Sequence, residues 1–184
     1  YKSGDEFKLA ARGKSSQLAI FMDSTGRAYS LPAHSLPSAR GQGEPLSGKV
    51  NPPSGATFEA VVIGEDDRDI LLASDAGYGF VGKIADLISK NRSGKSVLRP
   101  PKGGKVLPLL MVDDYKNDLV VAISNEGRML MFPINELPRL AKGKGNKIIS
   151  IPTARVADRV EYVVALTVLT AEDTLTIHAG KRHH

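Results

Sequence analysis

The chain contains no cysteine and no tryptophan among its 184 residues. Without Cys there are no disulfides, no thiolate metal sites and no cysteine nucleophile, a usage that fits a reducing, cytoplasmic compartment. Histidine is scarce too. His34, His178, His183 and His184 have no HExxH-like spacing and define no Ser-His-Asp order, so neither a zinc hydrolase nor a serine hydrolase is legible. No metal site is expected; the acidic clusters Glu65-Asp66-Asp67 and Asp113-Asp114 read as solvated turns before strands. Long apolar runs are missing as well. Tyr162–Leu169 is among the longest and falls far short of the ~18 residues needed to span a bilayer, so no membrane span is expected. The chain opens on Tyr1-Lys-Ser-Gly-Asp5, without Met, and reads as a fragment of a longer protein.

Glycine and proline are abundant instead, 18 and 11, which favours a turn-rich, all-β chain. They recur in order. Ala19-Ile-Phe-Met-Asp-Ser-Thr-Gly26-Arg27, Ile70-Leu-Leu-Ala-Ser-Asp-Ala-Gly77-Tyr78 and Val120-Val-Ala-Ile-Ser-Asn-Glu-Gly127-Arg128 align on a glycine, and Asp173-Thr-Leu-Thr-Ile-His-Ala-Gly180-Lys181 begins a fourth copy. The glycines lie 51, 50 and 53 residues apart. Leu36, Leu87 and Leu137 each follow by ten residues, and Gly43, Gly94 and Gly145 by seventeen or eighteen. Pro32 and Pro133 follow their glycines by six, where the middle copy has Lys83.

Each copy predicts an apolar strand, a hairpin turn closed by a glycine in the left-handed region, and a second strand: Arg27–Leu31, Tyr78–Val81 and Arg128–Phe132. The prolines end that strand, and a basic, glycine-bearing loop follows. Further strands are expected at Ala60–Ile63, Leu107–Val112 and Tyr162–Leu169, and one short helix at Ile84–Lys90. About four strands per ~50 residues make a propeller-like blade, which must stack on neighbours to bury both faces. The repeats run roughly over 18–68, 69–117 and 118–172, with a partial copy at 173–184, all within one domain. That is about three full blades plus partial ones at the ends.

Charge follows the repeat. The net charge is +5. Lys90 to Lys105 holds six basic residues and no acid, and Arg139 to Ile151 holds Arg139, Lys142, Lys144 and Lys147, again with no acid. The first copy is weaker, with Arg40 and Lys49 around Glu44. Like charge at like position in stacked blades makes a curved basic stripe, and glycines beside the lysines would let a polyanion approach. No base-reading helix or aromatic ladder accompanies it, so duplex phosphate recognition is favoured over sequence-specific or single-strand binding. Gly43-Glu-Pro-Leu-Ser-Gly48-Lys49 and Ser93-Gly-Lys-Ser96 each resemble half of a nucleotide-binding P-loop. Val50 and Ser89 break the pattern, and Pro52-Pro53 and Pro100-Pro101 preclude the helix it needs.

Longer motifs carry a family resemblance. Asp23-Ser-Thr-Gly-Arg27, Leu36-Pro-Ser-Ala-Arg-Gly-Gln-Gly-Glu-Pro-Leu46, Ala73-Ser-Asp-Ala-Gly-Tyr-Gly-Phe80, Gly127-Arg-Met-Leu-Met-Phe-Pro133, Lys142-Gly-Lys-Gly-Asn-Lys-Ile-Ile149 and Leu175-Thr-Ile-His-Ala-Gly-Lys181 closely resemble the C-terminal domain of the A subunit of bacterial topoisomerase IV, the ParC family, essentially from end to end. The resemblance implies a β-pinwheel, a disc whose blades exchange strands, with a basic rim that binds and bends double-stranded DNA largely independently of sequence. It implies a chromosome-associated parent enzyme, an ATP- and Mg2+-dependent type II topoisomerase (an isomerase). That parent is assembled with an ATPase B subunit into a heterotetramer and serves decatenation, supercoil relaxation and chromosome segregation. In the family the nucleophilic tyrosine belongs to the N-terminal cleavage core. Tyr1, Tyr29, Tyr78, Tyr115 and Tyr162 do not match its motif, so no catalytic residue and no cofactor is expected in this chain.

By position, the resemblance makes Arg27, Arg128 and Lys181 beside the turns, and Arg40, Lys49, Arg92, Lys95, Lys142, Lys144 and Lys147 on the loops, the expected DNA contacts. The expected role is capture and orientation of the transported segment. One alternative is a gyrase-type wrapping domain, which Arg40-Gly-Gln-Gly43, Asn91-Arg-Ser-Gly-Lys95 and Lys142-Gly-Lys-Gly145 argue against, since they only approximate gyrase's basic glycine box. Another is a pinwheel that binds protein partners and makes no direct DNA contact.

Overall fold

The computed structural model describes residues 8–38 and 40–170. Within them the apolar runs become hairpins. Strands β1 (Leu18–Asp23) and β2 (Arg27–Pro32) pair antiparallel, as do β4 (Asp69–Ser74) with β5 (Tyr78–Lys83) and β8 (Leu119–Ser124) with β9 (Met129–Pro133). Gly26, Gly77 and Gly127 close the turns at φ +84°, +85° and +79°, a region that side chains other than glycine rarely adopt. Their amides donate to Asp23, Ser74 and Ser124 carbonyls.

Each hairpin gains a strand on one side from later in its own repeat: β3 (Phe58–Ile63) on β1, β7 (Leu110–Val112) on β4 and β11 (Val163–Leu169) on β8. On the other side the strand comes from the following repeat. The two-residue strand β6 (Lys95–Ser96) pairs with β2, and β10 (Asn146–Lys147) with β5. The first two sheets therefore have four strands, ordered β3-β1-β2-β6 and β7-β4-β5-β10, and the third has β11-β8-β9. These sheets are three propeller blades joined by exchanged strands. The outer edge of β9 has no strand among the described residues.

The core lies between sheets. Ile20, Met22 and Val62 of the first meet Ile70, Leu72 and Phe80 of the second. Leu71, Ala73 and Val81, on the second sheet's other face, meet Val120, Ala122 and Ile134. Because β4 is buried on both faces, it reads as a continuous apolar run rather than an alternation. Among the described residues nothing covers the outer face of the third sheet, with Met129 and Met131 at 55% and 57% exposure.

Several bounds differ from the sequence expectation. The strand expected at Leu107–Val112 is regular only over Leu110–Val112, because Pro108 breaks the ladder that Leu107 N–H begins by donating to the Ala73 carbonyl. The helix expected over Ile84–Lys90 is the single turn α1 (Ile84–Leu87). A short helix not expected, α2 (Thr153–Ala157), follows Pro152.

Buried acids tie the turns. Asp23 accepts from the Thr25 amide and hydroxyl, the Arg27 amide and the Tyr29 hydroxyl. Burial, reinforced by Asp23, pushes the Tyr29 hydroxyl up to about 12. Asp75 takes a two-point contact from Arg159 at 3.1 and 2.8 Å, and Arg159 stacks on Tyr162. Arg139 grips Asp69 at 2.7 and 3.0 Å above the Tyr115 ring, tying the third repeat to the second.

Candidate nucleic-acid interface

The exchanged strands decide where the expected cations lie. Lys95 is on β6 and Lys147 on β10, and each of these strands forms the same edge of its sheet. Arg92, Lys142 and Lys144 lie in the loops entering those strands. Glycine makes the approach possible. A Cβ on Gly94 would lie 2.5 Å from the Ala28 carbonyl oxygen, and one on Gly145 would overlap the Gly79 carbonyl. Both glycines have positive φ. This corrects the sequence expectation that they admit a polyanion: they let the loop backbone lie against the preceding hairpin. Gly43 and Gly143 do face open space among the described residues.

The loops also touch one another in sequence order. The Asn51 amide donates to the Arg92 carbonyl at 2.7 Å, and the Arg92 guanidinium to the Gly48 carbonyl at 2.9 Å. The Gly143 amide then donates to Val97 at 2.8 Å, while its carbonyl accepts from Arg99 at 2.9 Å. An unbroken chain of contacts therefore links the basic loops of the three repeats. The two acidic clusters before β4 and β8 sit elsewhere. Asp66 and Asp118 bond through their backbones to Ala85 and Ile134, at the strand ends opposite the hairpin turns. Nearby, Asn117 and local amides hold the Asp114 carboxyl below its ordinary range.

The expected cations divide into two groups. Arg40, Lys95, Lys142 and Lys147 are exposed, and among the described residues their side chains make no ion pair or hydrogen bond. Lys144 is exposed, its ammonium 4.8 Å from the centre of the Tyr78 ring, which leaves the charge on the surface. The others have internal partners. Lys49 pairs with Glu44 at 3.3 Å. Arg27 donates to the Ser93 and Gly94 carbonyls, clamping β2 to the next repeat's loop. Arg128 bonds both oxygens of the buried Glu161 carboxylate at 2.7 and 2.9 Å, and the Ser150 carbonyl. Lys181 lies outside the described residues, as do His178, His183 and His184. The partners of Arg27 and Arg128 are 22 to 67 positions away in sequence, and no local pattern announces them. Outside the expected set, Arg99, Lys102 and Lys105 are also exposed and, among the described residues, unpaired, on the segment between β6 and β7.

Arg128 accordingly belongs to the fold. Its hydrogen bonds are the largest influence holding the Glu161 carboxyl below its ordinary range. A depressed carboxylate pKa stabilises the folded state above the unfolded value, near 4.3, and that stabilisation disappears as pH falls through the folded value. Arg128→Ala should lower the melting temperature at neutral pH, and the gap to the parent should close in acid. Its salt dependence of duplex binding should match the parent's. A slope lower by about one unit with unchanged melting would instead make Arg128 a phosphate contact.

Comparison with known proteins agrees with this architecture. Residues 68–113 and 118–170 match the family described as DNA gyrase C-terminal domain, beta-propeller. The chain is 58% identical over 182 residues to the A subunit of DNA topoisomerase 4 from Pseudomonas aeruginosa and 51% identical over 182 residues to that of Escherichia coli. The match covers 99% of this chain and 24% of each relative, so the chain spans about a quarter of their length. Among solved structures, the E. coli ParC C-terminal domain superposes with a TM-score of 0.84 at 50% identity, over 92% of this chain and 69% of that one. The DNA gyrase A C-terminal domain shares the fold, with a TM-score of 0.67 at 16% identity, over 91% of this chain and 53% of that one.

Proposed function

The chain belongs to the ParC family, the C-terminal domains of topoisomerase IV A subunits, and from that membership we propose that it binds double-stranded DNA along the sheet edge formed by the exchanged strands. The observation that carries this reading is that the loops bearing Arg92 and Lys95, and Lys142, Lys144 and Lys147, touch in series along one edge, with most of those charges unpaired. A duplex lying on that edge meets cations at a repeating interval and no element able to enter a groove and read bases. The contacts are therefore to phosphates and independent of sequence. Following a curved edge bends the duplex, at a cost of about 1–6 kcal/mol for a moderate bend, offset by the added phosphate contacts.

In the whole enzyme, we propose, this domain captures and orients the DNA segment to be passed, while cleavage, ATP turnover and pairing with the B subunit belong to other parts. The described residues offer no site that fits ATP or Mg2+. Among the described residues no three His, Asp or Glu side chains converge on one point, and the loop at Gly94-Lys95 packs on the preceding hairpin. Also among the described residues, no helix is long and apolar enough to cross a membrane.

Titration of the chain with duplexes of two unrelated sequences at several salt concentrations tests the proposal. Log affinity should fall linearly with log salt, by about 0.9 for each phosphate neutralised, and equally for both sequences. Binding that ignores salt, or no binding at low salt, would leave the pinwheel as a protein-docking module.

A further inference from the structure

Three cations that belong neither to the exchanged strands nor to their entry loops stand out when the first two repeats are superposed through their hydrogen bonds. In the first repeat, the segment from Asn51 to Thr57 reads Asn-Pro-Pro-Ser-Gly-Ala-Thr; in the second, Arg99 to Lys105 reads Arg-Pro-Pro-Lys-Gly-Gly-Lys. The backbone is the same. Gly55 and Gly103 have φ +80° and +77°. The Ala56 amide donates to the Pro53 carbonyl at 3.0 Å, and the Gly104 amide to Pro101 at 2.8 Å. At the end of each segment, Ser24 N–H donates to the Thr57 carbonyl and Asp75 N–H to the Lys105 carbonyl. In return, the Thr57 amide donates to the Ser24 hydroxyl and the Lys105 amide to the Asp75 carboxylate.

The first repeat builds this turn with Asn51, Ser54 and Thr57, so the fold does not require charge at those positions. The second places Arg99, Lys102 and Lys105 there, all exposed, and among the described residues no carboxylate lies within ion-pairing distance of their side chains. In the third repeat the corresponding stretch carries Arg155 and Arg159, and both face acids: Glu126 and Glu161 for the first, Asp75 for the second. Among the described residues, only the second repeat presents unpaired cations here. The segment is firmly held, by the Val97 and Leu98 amides on the Gly26 carbonyl at one end and by Asp75 at the other, with Arg159 donating to the Gly103 carbonyl between them. It therefore spans from the first hairpin turn to the second.

We propose that Arg99, Lys102 and Lys105 form a second phosphate-contacting segment, which carries the duplex off the exchanged-strand edge and across the hairpin-turn end of the second blade. This extension rests on the DNA reading above. It makes the path asymmetric: the duplex is held on two sides of the second blade and on one side of its neighbours.

The segment's neutral counterpart supplies the test. Arg99→Asn, Lys102→Ser and Lys105→Thr together install the first repeat's residues on a backbone that already accepts them, so the melting temperature should stay at the parent's value. A control removes the same charge at the opposite strand ends, through Lys14→Ala, Lys83→Ala and Lys116→Ala. On a duplex of about 40 base pairs, the salt slope of the first variant should fall by more than two units, about 0.9 for each lost contact, while the control changes it by less than one. Lys102→Ser alone should lower it by about one. A slope equal to the parent's, or a fall matched by the control, overturns the second segment. The DNA reading would still stand if Lys142→Ala, Lys144→Ala and Lys147→Ala together flatten the slope; a parent that shows no salt-dependent binding removes both.

Discussion

Gly26→Ala should unfold the domain under conditions where Gly127→Ala leaves it folded. The two positions are equivalent in the repeat and have nearly the same backbone angle, φ +84° and +79°. Placing a side chain in that region costs about 1–2 kcal/mol at either one. They differ in what lies beyond the turn. A Cβ on Gly26 would overlap the Leu98 carbonyl, whereas none of the described residues lies within 4 Å of one on Gly127. The Gly26 carbonyl also accepts the Val97 and Leu98 amides, so moving the turn to relieve the overlap breaks the joint between the first two repeats. The middle turn repeats this arrangement, with Gly77 accepting from Ile148 and Ile149 and the Ile149 oxygen 2.5 Å from the added carbon. Thermal melts should show Gly127→Ala lower by roughly 3–6 °C and Gly26→Ala lower by well over ~10 °C. Equal shifts would mean that the backbone angle alone limits stability and that the joint between repeats contributes nothing.

Replacing Lys142, Lys144 and Lys147 together by Ala should reduce duplex affinity roughly 100-fold or more at 0.1 M salt and flatten the salt slope by nearly three units. All three side chains are exposed and none bonds a carboxylate among the described residues, so the folded state loses little beyond the contact of Lys144 with Tyr78. Melting should move by no more than a few degrees. The loss should be uniform across sequences, since phosphate contacts carry no base information. Affinity within twofold of the parent would remove this loop from the DNA surface. Loss on one sequence but not another would mean that the loop reads bases.

What the sequence discloses and what it hides divide along range. The turn glycines, the hairpin strands and the prolines that end two of them are local signals, and each stands within a residue or two of its expected place. The exchanged strands are not local. Lys95-Ser96 and Asn146-Lys147 are two residues long, too short for alternation to mark them, and their partners lie in the preceding repeat. The same limit applies to Arg27 and Arg128, which look like rim cations until their carbonyl and carboxylate acceptors come into view. Gly94 and Gly145 mislead for a related reason: a glycine beside lysines suggests room for a ligand, and here the space is filled by the neighbouring hairpin's backbone. The Pro-Pro turn shared by residues 51–57 and 99–105 is visible as a pattern, but its meaning depends on knowing that both copies adopt one backbone.

Because β2 waits for Lys95-Ser96 and β5 for Asn146-Lys147, neither of the first two sheets is finished by its own repeat. During synthesis, the hairpin begun at Leu18 remains a strand short until residues 95 and 96 have left the ribosome, and by then the next hairpin has emerged and stands in the same condition. Assembly is therefore directional, each newcomer closing the one before it, and a ribosome paused between repeats would expose a single raw margin for neighbouring nascent chains to seize.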